Sequence, residues 1–154
     1  MHLLLIEDNL DLSANVGEFL ESRGNTVDYA RDGNQGLQLA GSEGYDAVIL
    51  DLGLPGVDGL TLCRRLRDSA RRDIPIVMLS GNMDRATLVA ARDAGVNEFV
   101  AKPVVVANLH ARLEACLRRP RPFITSEGYT GPCRRRNVTP FPFNERRARK
   151  TAYI

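Results

Sequence analysis

Cysteine pairs and long apolar stretches are missing from this sequence. The three cysteines, Cys63, Cys116 and Cys133, form an odd set without a CxxC spacing, which argues against a disulfide framework and against a zinc site. The two histidines, His2 and His110, are expected at the surface and not in a metal site. The sequence has no apolar run of roughly 18 residues, so we expect no membrane span. The apolar N-terminal stretch is too short for a signal peptide, and a cytoplasmic protein is therefore expected.

Charge is distributed unevenly along the chain. Residues 1–117 contain 11 lysines and arginines against 17 acidic residues, whereas residues 118–154 contain 10 against 2. A length of 154 residues accommodates one domain of ordinary size and an extension, and a hydrophobic fraction of 44% is enough for a core. The sequence therefore predicts an acidic domain that carries a basic tail.

Short apolar segments alternate with amphipathic ones from the N-terminus to Leu117. Strands are predicted at residues 2–6, 26–30, 46–51, 75–80 and 97–101, and each is followed by an amphipathic segment with helical spacing. We expect these helices to begin at Asn9 or Asp11, after Asp32-Gly33, at Asp58, at Asp84 and near Val104. This alternation predicts an α/β fold, a doubly wound parallel sheet of five strands with helices on both faces. The third helix is expected to have a basic outer face formed by Arg64, Arg65 and Arg67.

The pattern breaks after Leu117. Residues 119–154 contain five prolines and several arginine clusters, and no apolar period runs through them. We therefore expect a domain over residues 1–118 and a tail over residues 119–154 that is mostly irregular.

Residues with charged or hydroxyl side chains stand at the ends of four predicted strands. They are Glu7 and Asp8, Asp51, Ser80, and Lys102. Because the carboxyl ends of parallel strands open on one edge of a sheet, these side chains are expected to converge. Three carboxylates at one place repel one another unless a cation neutralises them, and Mg²⁺ is the cation that suits oxygen ligands and a phosphate. We expect Asp8 and Asp51 to bind Mg²⁺ directly.

The remaining members of the site support this chemistry. Glu7 is expected to act on Mg²⁺ through water, and the backbone carbonyl of Gly53 completes the protein ligands. Lys102 adds a positive charge that can pair with Asp51 or with a phosphoryl group. Asp51 can act as a nucleophile that forms an aspartyl phosphate, and the Ser80 hydroxyl can donate a hydrogen bond to it.

These residues resemble the motifs of a known family. Glu7-Asp8, Asp51 with the Leu54–Gly59 turn, Ser80-Gly81 and Lys102-Pro103 are similar to the CheY-like receiver domain of two-component response regulators, over roughly residues 1–118. The resemblance implies a flavodoxin/CheY-like (βα)5 fold with strand order 2-1-3-4-5. It also implies a phosphoacceptor that catalyses its own phosphotransfer and slow dephosphorylation, and not an enzyme with a separate substrate.

The resemblance assigns further roles. A sensor histidine kinase or a histidine phosphotransfer protein would phosphorylate Asp51. Ser80 would move toward the phosphoryl group and Phe99 would rotate inward. The bond between Lys102 and Pro103 is expected to be cis.

Two more residues are expected to tune the lifetime of the aspartyl phosphate. Gly53 and Asn82 stand two positions beyond Asp51 and Ser80, where they flank the expected path of water. A haloacid-dehalogenase-like phosphatase would need a second aspartate where Gly53 stands, which excludes that class.

The output is predicted less directly. The 37 residues after Leu117 are too few for the usual winged-helix DNA-binding domain, and Asn97-Glu98 departs from the acidic pair of that class. We therefore expect a single-domain response regulator that binds a protein partner through its fourth helix, fifth strand and fifth helix. The alternative is a nucleic-acid-binding regulator that uses the basic tail, in which Arg134-Arg135-Arg136, Arg146-Arg147 and Arg149-Lys150 stand among aromatic residues. The tail could also pack on the acidic domain.

Overall fold

The computed structural model describes residues 1–42, 44–69 and 72–134. Twelve elements follow one another along these residues: β1 (His2–Ile6), α1 (Leu10–Ser22), β2 (Thr26–Ala30), α2 (Gly33–Ser42), β3 (Ala47–Asp51), α3 (Gly59–Arg67), β4 (Ile76–Ser80), α4 (Arg85–Asp93), β5 (Glu98–Ala101), α5 (Val106–Arg118), β6 (Phe123–Ser126) and β7 (Tyr129–Pro132). None of the described helices is long and apolar enough to cross a membrane.

The first five strands form one parallel sheet, as the alternation of segments predicted, in the order β2-β1-β3-β4-β5 that the resemblance implies. Every residue of the central strand β3 is buried, because helices cover both faces of the sheet. Alternate residues of each strand point to opposite faces, so Val48 and Leu50 belong to one apolar cluster and Ala47 and Ile49 to the other. This core fixes the sheet edge at which β1, β3, β4 and β5 end.

Side-chain caps start three of the helices at that edge. The side chains of Asn9, Asp58 and Asp84 accept hydrogen bonds from backbone N–H groups in the first turns of α1, α3 and α4, at 3.0, 2.8 and 2.7 Å. The caps at Asp58 and Asp84 were predicted, and Asn9 was one of the two predicted starts of α1, since a polar side chain stands just before an amphipathic stretch. Gly24 and Gly95 follow the ends of α1 and α4 with φ of 85° and 96°, which glycine adopts without strain.

Residues 123–132 differ from the sequence-based expectation. They form an antiparallel hairpin in which Phe123 pairs with Pro132 and Ser126 with Tyr129, whereas the tail over residues 119–154 was predicted to be mostly irregular, without a hairpin. A hairpin with strands of four residues is too short to create an apolar period, and it buries Tyr129 and Cys133 against the domain. The basic residues on which the nucleic-acid alternative depends lie almost entirely at 135–154, outside the described residues, so that alternative stays a prediction.

Arg67 also corrects the sequence analysis. Arg64 and Arg65 are exposed as expected, but Arg67 is only 3% exposed and its guanidinium donates hydrogen bonds to carbonyls of the turns beside it. The helical pattern could not place Arg67, because its partners lie outside the helix, in the segments at 72–74 and 95–97. Cys63, Cys116 and Cys133 are free and buried.

Candidate functional site

Each candidate residue comes directly from the end of a strand. Glu7 and Asp8 follow β1, Asp51 ends β3, Ser80 ends β4 and Lys102 follows β5. Backbone bonds hold these ends in register: Glu7 N–H donates to the Ala30 carbonyl at 3.0 Å, and Lys102 N–H donates to the Ser80 carbonyl at 2.8 Å. The sheet therefore brings residues from positions 7 to 102 to one edge.

Three carboxylates converge there. Glu7, Asp8 and Asp51 each present an oxygen, and these oxygens lie within 4.8 Å of one another. The residues differ in exposure, since Glu7 is 1% and Asp51 4% exposed while Asp8 faces solvent. Two buried carboxylates this close are costly unless positive charge lies beside them.

Lys102 supplies part of that charge. Its Nζ lies 3.0 Å from Asp51 Oδ1 and 3.2 Å from Glu7 Oε2. Burial by itself would lower the pKa of the Lys102 ammonium, but the adjacent carboxylates of Asp51 and Glu7 outweigh burial and raise it above 10.5. Lys102 therefore stays protonated and binds both carboxylates with one cation.

Glu7 is incompletely neutralised. Burial raises the pKa of its carboxyl above 4.5, and the negative charge of Asp51 adds to the shift against the opposing effects of the Asn9 N–H and Lys102. Glu7 Oε1 accepts the Asn9 N–H at 3.1 Å, while Oε2 has no hydrogen-bond partner among the described residues. The 3.2 Å approach of Lys102 to Oε2 is thus an ion pair without the direction of a hydrogen bond. A buried carboxylate oxygen with no donor, beside two other carboxylates, fits a divalent cation with oxygen ligands.

Gly53 lies immediately beside Asp51. Its N–H donates to Asp51 Oδ1 at 3.2 Å, and a Cβ at this position would lie 4.0 Å from both carboxylate oxygens. Gly59, a member of the turn motif without an assigned role in the sequence analysis, also belongs here. A Cβ on Gly59 would lie 2.6 Å from the Asp51 carbonyl oxygen, so only glycine fits where α3 begins against β3.

The Ser80 hydroxyl forms hydrogen bonds with the loop that follows β4. Its Oγ donates to the Asn82 carbonyl at 2.7 Å and accepts the Asn82 N–H at 3.1 Å. Phe99 is half-buried on β5 and lines a surface cavity of about 290 Å³ with Met83, Pro103 and Val105. The peptide bond between Lys102 and Pro103 is cis, the isomer that the resemblance implies.

Comparison with known proteins agrees with this fold. Residues 3–114 match the family model of the response regulator receiver domain. The chain is 36% identical over 122 residues to response regulator MprA of Mycolicibacterium vanbaalenii. The matched region covers 79% of this chain and 52% of that protein. The chain thus spans about half the length of the curated relatives it matches.

Two solved structures are similar over most of the domain. A protein from Chloroflexus aurantiacus described as a response regulator has 34% identity and a TM-score of 0.73, covering 77% of this chain and 98% of that one. The receiver domain of a sensor histidine kinase from Pseudomonas aeruginosa has 31% identity and a TM-score of 0.71, covering 76% and 97%. That receiver has a magnesium ion coordinated in its active-site cleft.

This chain belongs to the family of response regulator receiver domains, which act in two-component signalling. The family and the fold that the strand-end motifs indicated are both confirmed.

Proposed function

We propose that Asp51 accepts a phosphoryl group from a phosphohistidine donor in a Mg²⁺-dependent reaction, and that this phosphorylation changes a protein-binding surface. One observation carries the proposal. The nearly buried Asp51 carboxylate lies 3.0 Å from the Lys102 ammonium, within an acidic cluster that still lacks a donor for Glu7 Oε2. Such a cluster favours a cation and a transferred anionic group over an isolated ion pair.

The hydrogen bonds of Asp51 indicate which oxygen reacts. Oδ1 is held by Lys102 Nζ and by the Gly53 N–H, which leaves Oδ2 as the attacking atom. Oδ2 forms a bond to phosphorus while the bond from phosphorus to the donor's imidazole nitrogen breaks and its electron pair returns to that nitrogen. Lys102 stays close to the oxygens that carry the developing charge.

The acidic cluster provides the metal ligands. Asp8 and Asp51 would bind Mg²⁺ directly, Glu7 would act through a water molecule, and the Gly53 carbonyl would complete the protein set. The bound ion supplies positive charge that neutralises the phosphoryl oxygens. The magnesium ion in the similar receiver from Pseudomonas aeruginosa supports this assignment.

Phosphorylation would act through Ser80 and Phe99. Ser80 Oγ would exchange its two bonds with Asn82 for one to the phosphoryl group. Phe99 would then rotate inward from the surface cavity, which alters the face formed by α4, β5 and α5 and so the binding of a downstream protein. Moving such an equilibrium from 1:99 to 99:1 requires about 5.5 kcal/mol, which the bonds to Ser80, Lys102 and Mg²⁺ would supply.

Access to Asp51 would determine both donor docking and lifetime. Leu10 and Val105 are each 58% exposed and follow β1 and β5, where they offer apolar contacts to a sensor histidine kinase or a histidine phosphotransfer protein. Gly53 and Asn82 are exposed next to Asp51 and Ser80, and their small size would set how readily water reaches the aspartyl phosphate. The protein would catalyse its own phosphorylation and slow dephosphorylation.

Intact-mass measurement after incubation with Mg²⁺ and acetyl phosphate tests the proposal. We expect one phosphoryl adduct on the wild type, none with Asp51→Asn and none when a chelator replaces Mg²⁺. Asp46→Asn is a matched control, because Asp46 is exposed and immediately precedes β3, at the end of the strand away from Asp51. An unmodified wild type, or an undiminished adduct in Asp51→Asn, would refute the assignment.

A further inference from the structure

The β6–β7 hairpin packs at the end of the domain opposite Asp51. It lies against the turn of residues 94–97, which joins α4 to β5. A Cβ on Gly131 would lie 2.8 Å from Gly95 Cα, and a Cβ on Gly95 would lie 2.6 Å from the Thr130 carbonyl oxygen. The two backbones therefore touch, and even a small shift of either segment would disturb the contact.

Two arginines attach the ends of the hairpin to the same region. Arg121 donates hydrogen bonds to the Asn97 carbonyl and, at 3.0 Å, to the Cys133 carbonyl. Arg134 forms an ion pair of 3.1 Å with Asp93, the last residue of α4, and its guanidinium lies 4.1 Å from the centre of the Tyr129 ring.

Arg67, at the end of α3, binds the same turn of residues 94–97 on which the hairpin rests. Its guanidinium donates twice to the Gly95 carbonyl, at 2.9 and 2.7 Å, and once to the Asn97 side chain, at 2.8 Å. The Phe123 ring of the hairpin covers it at 5.4 Å. The hairpin thus rests on the carboxyl end of α4 and on the arginine that fixes that end.

Helix α4 connects the hairpin to Ser80. Only Ala91 among the nine residues of α4 is buried, so few core contacts hold this helix in place. At the other end of α4, Asp84 caps the helix. The N–H of Asp84 donates to the Asn82 side chain at 3.0 Å, and Asn82 in turn forms two hydrogen bonds with Ser80. A helix of nine residues is about 13 Å long and moves as one unit.

We propose that docking of the hairpin and phosphorylation of Asp51 oppose each other through α4; this rests on the function proposed above. When Ser80 turns to the phosphoryl group, its bonds to Asn82 break and the start of α4 shifts. Since Gly95 and Asp93 move with the helix, the tight contact with Gly131 and the Arg134 ion pair weaken. Phosphorylation then loosens the attachment of the hairpin to the carboxyl end of α4. By linkage, undocking favours the phosphorylated state to the same extent.

The thiol of Cys133 reports docking directly. Cys133 is 3% exposed at the end of the hairpin, whereas Cys63 is fully buried in the core and detects global unfolding. Alkylation by iodoacetamide, followed by peptide mass spectrometry, measures both thiols in the unaltered chain. On phosphorylation we expect Cys133 to react at least about fivefold faster, the lower end of common coupling strengths, with Cys63 unchanged. Asp51→Asn should abolish the acceleration.

The adduct mass separates the two proposals. If Asp51 carries the phosphoryl group and Cys133 reacts at its original rate, the coupling is wrong while the phosphoacceptor function stands. If no adduct forms, the phosphoacceptor function fails and the coupling fails with it.

A second experiment tests the path through α4 without any phosphodonor. Gly131→Ala should unseat the hairpin, speed alkylation of Cys133 and accelerate backbone hydrogen exchange in α4. Gly41→Ala is the control, since a Cβ at that position would meet nothing within 4 Å apart from the adjacent backbone of its own helix. An unchanged alkylation rate of Cys133 would overturn the proposal. Faster alkylation of Cys133 with unchanged hydrogen exchange in α4 would overturn it as well.

Discussion

Lys102 Nζ lies 3.0 Å from Asp51 Oδ1, and the same ammonium lies 3.2 Å from Glu7 Oε2. One cation therefore bridges carboxylates that come from two different strand ends, β1 and β3. The bridge makes the reactivity of Asp51 depend on the charges of both neighbours, which leads to the first two predictions.

Replacing Lys102 should slow phosphorylation strongly. Lys102→Ala removes the only side-chain cation that contacts Asp51 among the described residues, so the initial rate of adduct formation from acetyl phosphate should fall about 100-fold, as for other preorganised donors. Lys150→Ala is a matched control, because Lys150 is the only other lysine of the chain. Equal rates for the two variants would show that Lys102 does not stabilise the transferred group.

Glu7 should make stability depend on pH when Mg²⁺ is absent. Its pKa is raised in the folded chain above 4.5 by burial and by Asp51, so the folded state holds this proton more tightly than the unfolded state. The resulting stabilisation is fully present below pH 4.5 and is lost as the pH rises through the folded pKa.

Glu7→Gln should remove that loss. In urea unfolding with a chelator at pH 7, the variant should be more stable than the wild type, by on the order of 1 kcal/mol, and added Mg²⁺ should stabilise the wild type more. Glu18→Gln, at an exposed position of α1, should follow the wild-type pH profile. A Glu7→Gln profile parallel to the wild type would contradict the prediction.

Phe99→Trp should report the state of Asp51. The chain contains no tryptophan, so this variant carries a single tryptophan, on β5, which excitation beyond the tyrosine absorption band selects over the tyrosines. The adjacent cavity of about 290 Å³ leaves room for the larger ring. If the side chain rotates inward, its fluorescence should shift to shorter wavelength on addition of Mg²⁺ and acetyl phosphate. The double variant with Asp51→Asn should not respond, and an equal shift in both proteins would show that the signal is unrelated to phosphorylation.

Arg67 should be essential for stability although it is far from Asp51. Arg67→Met keeps much of the apolar stem but leaves the carbonyls of Gly95 and Ile74 without their donor, and buried unsatisfied groups cost about 1–3 kcal/mol each. We expect the free energy of unfolding to fall by about 3 kcal/mol. Arg65→Ala, at an exposed position on the same helix, should change it by less than about 0.5 kcal/mol. Similar losses in both variants would refute a special role of Arg67.

The sequence by itself determined the sheet and the positions of the functional residues within it. Apolar segments of five or six residues between polar turns predicted the strands, and the order of the parallel sheet followed from the resemblance. Three helix starts could be predicted from capping side chains, at Asn9, Asp58 and Asp84. Capping is a local signal, because the two partners stand three positions apart. Asp51 was recognisable for a similar reason, since a carboxylate at the end of a buried strand followed by a glycine-rich turn is a local pattern.

Only the tertiary structure decided the rest. That Lys102 bridges Asp51 and Glu7, and that Glu7 Oε2 stays without a donor, depends on angstrom-scale distances between chain segments up to 95 positions apart. The burial of Arg67 and the hairpin at 123–132 were missed because each is stabilised by carbonyls, rings and glycine contacts from other segments. Local periodicity indicates which face of a helix or strand is apolar. The burial of Arg67 and the hairpin depend instead on which other segments of the backbone pack against that element.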